Sequence, residues 1–460
     1  MQIHRRIPRN LARHGAGLLS LAVYAATLSA QTAPSADSAA LGQILERLDR
    51  LEKQNRELID EVQALRGELA QSRGPAEAKQ AEDVNEKLEV QERRMEEQAQ
   101  TKVESSQHFP LRITGMALFN SYFNSRQTGS LEAPPIAPLS GGAFSGGATL
   151  RQTILGIEYR GPEILGGGKI SGILNMDFMG GSGEPYDSLF RIRTAALRID
   201  WKTTSVMFGQ DKPLISPREP NSLAQVGISP LAGAGNLWLW QPQMRVEQRI
   251  NLDPSTTLRA QVGIFQTRED YGYVPPVYTA SIQEQRPALQ GRFSLSHNLD
   301  DDRRIEIGSG FHASDSHVAG WTVPSRVFAL DWFANPWRRL EFSGSLFRGQ
   351  NLTNIGGVGE GFTFVNDYTV IPVHAEGGWT QLSFIATPRL TFNVFGGLQN
   401  NRGSDIYYGL ARNAGFAANF MYRLAPNVIL SFESGQVRTE YLDVGKRLNN
   451  HNDLGVAYLF

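Results

Sequence analysis

The chain contains no cysteine in 460 residues, which removes disulfides and thiolate-bound metal from its possible chemistry. Beyond the amino terminus it has no long unbroken apolar run, and its mean hydropathy is negative. A helical membrane protein is thereby disfavoured. A membrane-spanning barrel is not, because half of every barrel strand faces water and hides from such measures. No Ser/His/Asp or His-rich constellation has catalytic spacing; the eight histidines are scattered, and His374 and His451 read as ordinary loop residues. Excess charge is missing too. The formal net charge is -1, and residues 108–460 sum to about neutrality, so bulk charge does not decide which solutes or partners are favoured. What the chain has in plenty is glycine (46), phenylalanine (23) and tyrosine (13), a composition suited to many turns and aromatic girdles.

The amino terminus carries Arg5, Arg6, Arg9 and Arg13 ahead of an apolar stretch over 16–28, with small residues Ser29 and Ala30 before Gln31. Residues 1–30 therefore read as an export signal peptide, with an apolar stretch too short to span a membrane. Residues 31–73 hold a heptad repeat: Leu41, Leu48, Asn55, Val62 and Leu69 at a, with Ile44, Leu51, Leu58 and Leu65 at d. One isolated helix would leave this seam wet, so a self-associating α-helical coiled coil is expected, with Asn55 fixing register in a dimer or a trimer. An amphipathic helix lying on the protein's own surface is the alternative. Leu51→Asp or Leu58→Asp is expected to weaken association of a 31–107 fragment in analytical ultracentrifugation; a monomeric unmutated fragment would contradict the coiled coil. Gly74-Pro75 breaks the helix, and 74–107 is charged and weakly periodic, a helical linker.

From residue 108 the texture changes to glycine-punctuated, period-two strands. The last of them ends Leu454-Gly455-Val456-Ala457-Tyr458-Leu459-Phe460, with a large apolar residue at every second position. On its own this could be a strand of a soluble sandwich. Spacing points elsewhere. Short turns are expected at Arg160-Gly161-Pro162, Asp200-Trp201-Lys202, Asp253-Pro254-Ser255, Asp300-Asp301-Asp302, Ala334-Asn335-Pro336, Thr387-Pro388 and Ala425-Pro426-Asn427, with longer loops between them. Seven short turns alternating with about eight longer loops predict an all-β transmembrane barrel of about sixteen antiparallel strands over 108–460. Its outward faces are read from rows such as Leu258, Ala260, Val262 and Ile264, or Leu390, Phe392, Val394, Gly396 and Leu398. The opposite rows, including Arg259, Gln261, Thr391 and Asn393, suit water.

Four segments, Arg151-Gln152-Thr153-Ile154-Leu155-Gly156, Asn175-Met176-Asp177-Phe178-Met179-Gly180-Gly181, Phe190-Arg191-Ile192-Arg193-Thr194-Ala195 and Phe208-Gly209-Gln210, resemble in that order the DcaP-like trimeric outer-membrane porins, a group similar to the phosphate-selective porins. Where that group carries His-Ala-Tyr after the paired arginines, this chain reads Thr194-Ala195-Ala196. The resemblance implies a homotrimer in the outer membrane of a Gram-negative cell, in contact with its lipid, with the coiled coil in the periplasm. It implies passive diffusion of small anionic solutes, with no enzymatic activity and no cofactor or metal. By resemblance to outer-membrane barrels, Tyr458 and Phe460 form the signal read by the barrel-insertion machinery. Peptidoglycan is a further possible partner, and nucleic acid is not.

In such a channel the working residues line a constriction narrowed by an inward-folded loop. The third long loop is expected over 211–241, carrying Lys212 and Arg218, with a Leu237-Trp238-Leu239-Trp240 run suited to packing on the wall. Arg191 and Arg193, and Arg245 and Arg249, share strand faces and are the other pore candidates. Strict alternation from Arg191 and Arg193 puts Leu197 and Ile199 on the same face, which requires a bulge or inward packing near one end. Pairing with Asp177, Glu247 or Glu306 is the alternative role for these arginines. The alternative for the whole chain is a structural envelope protein whose barrel anchors the coiled coil to the cell wall. The run Gly356-Gly357-Val358-Gly359-Glu360-Gly361 reads as a surface loop rather than a phosphate loop, and Asp300-Asp301-Asp302 as a tight turn rather than a calcium site.

Overall fold

The computed structural model describes residues 110–460 except 127–131, 140–141, 143, 182–187, 269–284, 319 and 367–368. The expected signal peptide, coiled coil and charged linker lie outside the described residues.

Sixteen antiparallel staves close into a barrel. They are β1 (Leu111–Asn124), β2 (Ser145–Thr149 and, after a break, Ile154–Ile164), β3 (Gly168–Gly180), β4 (Leu189–Asp200), β5 (Thr204–Asp211), β6 (Gln241–Asn251), β7 (Thr256–Arg268) and β8 (Gln285–Asn298). The second half comprises β9 (Arg304–Val318), β10 (Trp321–Trp337), β11 (Leu340–Gln350), β12 (His374–Thr387), β13 (Leu390–Asn401), β14 (Leu410–Ala425), β15 (Val428–Tyr441) and β16 (Gly445–Leu459). Each pairs with the next, and β16 closes on β1 with Met116 opposite Leu459 and Asn124 opposite His451. Phe460 completes the seam by exchanging backbone hydrogen bonds with Gly115, at 2.9 and 3.2 Å. Among the described residues the barrel sheet has no unpaired edge, which is what a sheet in lipid would require.

Seven tight turns lie at one end. Five fall where the sequence places them, and two do not. Arg160-Gly161-Pro162 is an irregularity inside β2, and the turn comes later at Leu165-Gly166-Gly167, where Gly166 and Gly167 take φ of 77° and 74°. Likewise Ala334-Asn335-Pro336 lies within β10 beside a register shift, ahead of the Arg338-Arg339 turn. Proline cannot donate to a ladder, so it reads as a strand end; a bulge accommodates it instead. At the other end most connections are long, although β9–β10 and β15–β16 are tight.

Side chains follow the pleat. Leu454, Val456, Tyr458 and Phe460 are exposed on the outer face, whereas Gly455 and Ala457 turn inward. On β13, Val394 is 58% exposed beside Asn393 at 1%. The interior is polar, with His312, Gln290, Asn393, Asn413 and Glu433 all buried. What buries these groups is largely the chain itself, because the 212–240 connection folds into the lumen.

Candidate pore constriction

The inward loop is fastened to the wall by apolar contacts and by amides. Leu214 packs with Phe265 and Ala288, and Ile215 and Leu237 join Val327, Phe347 and Ile355. Leu223 meets Leu118 and Ala457, and Leu231 with Ala234 meets Trp379, Phe395 and Ala417. Leu231 has φ of 60°, a conformation costly for a residue with a Cβ, and its burial offsets that cost. Its carbonyl accepts hydrogen bonds from the N–H groups of Ala234 and Asn236.

Wall amides then satisfy the loop's backbone, which an enclosed segment requires. Gln290 accepts from the N–H of Leu214 at 2.9 Å, and Gln381 from that of Asn221 at 2.6 Å. Asn419 donates to the Asn221 carbonyl and Asn413 to that of Gly233. Gln152 does most. It sits in the break of β2, fully buried, accepting from the N–H groups of Val226 and Gly227 and donating to the Ala224 carbonyl. Thr153 repairs the broken ladder, its hydroxyl oxygen accepting from the Leu118 N–H at 3.0 Å.

Arg191 and Arg193 share this fastening role. Both bind Asp177, at 2.6 and 3.2 Å, and donate to the Gly227 and Val226 carbonyls at 2.5 and 2.8 Å. The Trp240 ring lies about 5 Å from each guanidinium, at 5.0 and 4.8 Å, a cation–π geometry. A register shift at Arg193 absorbs the alternation conflict, leaving Ile192 and Leu197 exposed on the outer wall although they stand five residues apart.

Between the start of this loop and β4–β9 lies a chamber of about 420 Å3. Its walls carry Arg198, Lys212, Arg218, Arg245, Arg249, Arg259, Arg292 and Arg304 against Asp211, Glu247 and Glu306, an excess of five positive charges in the lining itself, with Glu219 and Asp331 behind it as partners of Lys212 and Arg292. Four of the six pore candidates line it. Lys212 pairs with Glu219 at 2.6 Å, Arg218 with Glu306 at 2.6 Å, Arg245 with Asp211 at 2.9 Å, and Arg249 with Glu247 at 3.9 Å. Arg292 is held hardest: Asp331 accepts two hydrogen bonds from it at 2.8 Å, and Glu306 one at 3.0 Å. Arg198 has no ion pair among the described residues, Arg259 lies 3.6 Å from Glu247, and Arg304 stacks on Phe333 at 4.9 Å. These three arginines are less committed to partners than Arg292.

No family model matches the chain, and no curated protein does. Solved structures do. The outer membrane channel DcaP of Acinetobacter baumannii superposes with a TM-score of 0.62 at 16% identity, covering 76% of this chain and 97% of that one. The chain has the barrel fold of DcaP. An anion-selective porin from Comamonas acidovorans gives 0.53 at 12% identity, over 76% of this chain and 99% of that one. At such identities the likeness is one of fold.

Within this barrel fold, sequence reasoning placed the inward loop and set Arg259 on a water-facing row, but it did not single out Arg198, Arg259, Arg292 or Arg304 for the site. Alternation places Arg259 inward and could have done the same for the others; which of sixteen staves borders the open side of the loop is set by tertiary packing. Asp300 lies at a tight turn. Its carboxylate accepts from the Arg303 side chain at 2.8 Å and from the N–H groups of Asp302 and Arg303, bonds that hold its pKa below the usual value. Among the described residues, no cluster of His, Asp and Glu is placed to hold a metal.

Proposed function

We propose that the protein is an outer-membrane porin, a water-filled channel through which small hydrophilic anions diffuse down their gradients. The observation that carries this reading is the basic chamber beside the inward loop, where eight cationic side chains face three carboxylates. Enclosed by low-dielectric walls, an excess of one sign focuses field lines and concentrates the opposite ion. The apolar outer face argues for a bilayer around the barrel, with the tight turns in the periplasm and the longer loops outside the cell. The resemblance to DcaP-like channels and the heptad seam support a homotrimer with a coiled coil ahead of each barrel. Tyr458 and Phe460, on the outer face of the closing strand, suit the insertion signal. Arg198, Lys212, Arg218, Arg245, Arg249, Arg259 and Arg304 are assigned to ion selection, and Arg191 and Arg193 to holding the loop beside them.

Purified protein added to a planar bilayer should give discrete conductance steps; a bilayer that stays silent, with folded protein inserted, would refute the channel. The membrane assignment has its own test. Val394 lies in an outward row with Leu382 and Ala418, and Val394→Arg should destabilise the barrel by about 2–4 kcal/mol. Denaturant unfolding in lipid vesicles measures it, and an unchanged midpoint would mean that this face does not meet lipid.

A further inference from the structure

The outer wall carries a second basic cavity, of about 370 Å3, at the long-loop end of β10–β13. Its geometry follows from register. One lateral row runs Arg326, Gln350, His374, Arg402: Arg326 pairs with Gln350, Gln350 with His374, and the Arg402 N–H donates to the His374 carbonyl at 2.8 Å. The next row towards mid-barrel runs Phe328, Arg348, Glu376, Asn400, and the one after it Leu330, Leu346, Gly378, Leu398. Charge thus gives way to apolar surface within two rows. Phe328 and Leu346 are exposed on that slope.

The three guanidiniums are incompletely occupied. Arg326 donates to Asp315 at 2.7 Å and to the Ser314 and Ser325 carbonyls. Arg348 stands 3.8 Å from Glu376 and is largely exposed, and Arg402 has no ion pair among the described residues. His374 is engaged by Asp405 at 2.8 Å. Among the described residues, Glu376 is the one carboxylate lining the cavity.

From this arrangement we infer that the cavity binds a phosphate monoester carried by a membrane glycolipid, with the lipid's acyl chains lying along the apolar rows beneath it. Arginine's planar fork matches phosphate oxygens, and basic clusters at the rim of a membrane-facing surface are where lipid headgroups are recognised. A free anion would need no apolar slope; a lipid phosphate does. The inference rests on the reading of the outer wall as membrane-facing.

The full-length protein in non-ionic detergent can be titrated with bisphosphorylated lipid A, with lipid A stripped of phosphate, and with inorganic phosphate, and binding followed by native mass spectrometry. Arg348→Gln/Arg402→Gln leaves the contacts of Arg326 intact and should weaken binding of bisphosphorylated lipid A about tenfold or more. Glu376→Gln should strengthen it. Inorganic phosphate at millimolar concentration should not displace the lipid. Equal binding by the double variant and the unmutated protein, equal binding of the phosphate-free lipid, or displacement by inorganic phosphate would each overturn the inference. The double variant should conduct normally. A barrel that conducts nothing yet binds lipid A in an arginine-dependent way would refute the channel alone and leave this site standing.

Discussion

Arg198→Glu, Arg259→Glu and Arg304→Glu together are expected to turn an anion-preferring conductance into a cation-preferring one. The three replacements move the chamber from five excess positive charges to one excess negative. Lining groups act at close range, and a chamber of this size is smaller than the screening length of about 10 Å at 0.1 M salt, so the field reaches the permeating ion. These arginines are chosen because they hold little else. Arg198 has no ion pair among the described residues, and Glu247 keeps Arg249 at 3.9 Å and a hydrogen bond from Gln261 at 2.8 Å when Arg259 is lost. The variant should fold, as judged by heat-modifiable migration on gels, and its reversal potential under a salt gradient should change sign. A folded variant that keeps the parental sign would show that ions bypass the chamber. Arg292→Glu is the wrong test, because it would set a third carboxylate beside buried Asp331 and Glu306 and leave Arg218 as their remaining partner, and breaking such a buried pair costs about 3–5 kcal/mol.

Gly235→Val should open the channel rather than recharge it. Gly235 lies in the inward loop at φ of 101°, where a Cβ would stand 2.1 Å from the Gly378 carbonyl oxygen. Valine meets both obstacles at once: a backbone region that β-branched residues avoid and a wall that cannot give. The loop must lift from β12 and β13, withdrawing Leu231 and Ala234 from Trp379 and Phe395. Single-channel conductance should rise severalfold, and larger solutes should enter in vesicle-swelling assays. Gln152→Ala removes three hydrogen bonds from residues 224–227 and should act in the same direction with a milder effect, about 1 kcal/mol per bond lost. Unchanged conductance in both folded variants would mean that the loop does not limit the pore.

The barrel was legible because its two strongest signals are local. Alternation fixed the outer faces of β13 and β16, and turn residues separated most of the staves. Prolines misled at Pro162 and Pro336, where a bulge or register shift stands in for the turn that their missing N–H suggests. The loop over 212–240 was visible as a long interval between strands, and its Leu237 does pack on the wall. Its fastening was not visible. Gln152, Gln290 and Asn413 look like any inward polar residues until the loop is laid against them, since nothing in spacing says which amide meets which carbonyl. The same limit explains the arginines. Arg191 and Arg193 stand out as a pair two residues apart, yet Asp177 and two loop carbonyls consume them. Arg198, Arg259 and Arg304 lie singly on three strands and converge only when the barrel closes.

The proposed function stands or falls with selection of the permeating ion by the basic chamber. The most direct measurement is the reversal potential of the unmutated protein in a planar bilayer with a potassium chloride gradient at neutral pH. Chloride preference is predicted. A potassium preference, or no conductance at all from folded and inserted protein, would rule out an anion-selecting chamber.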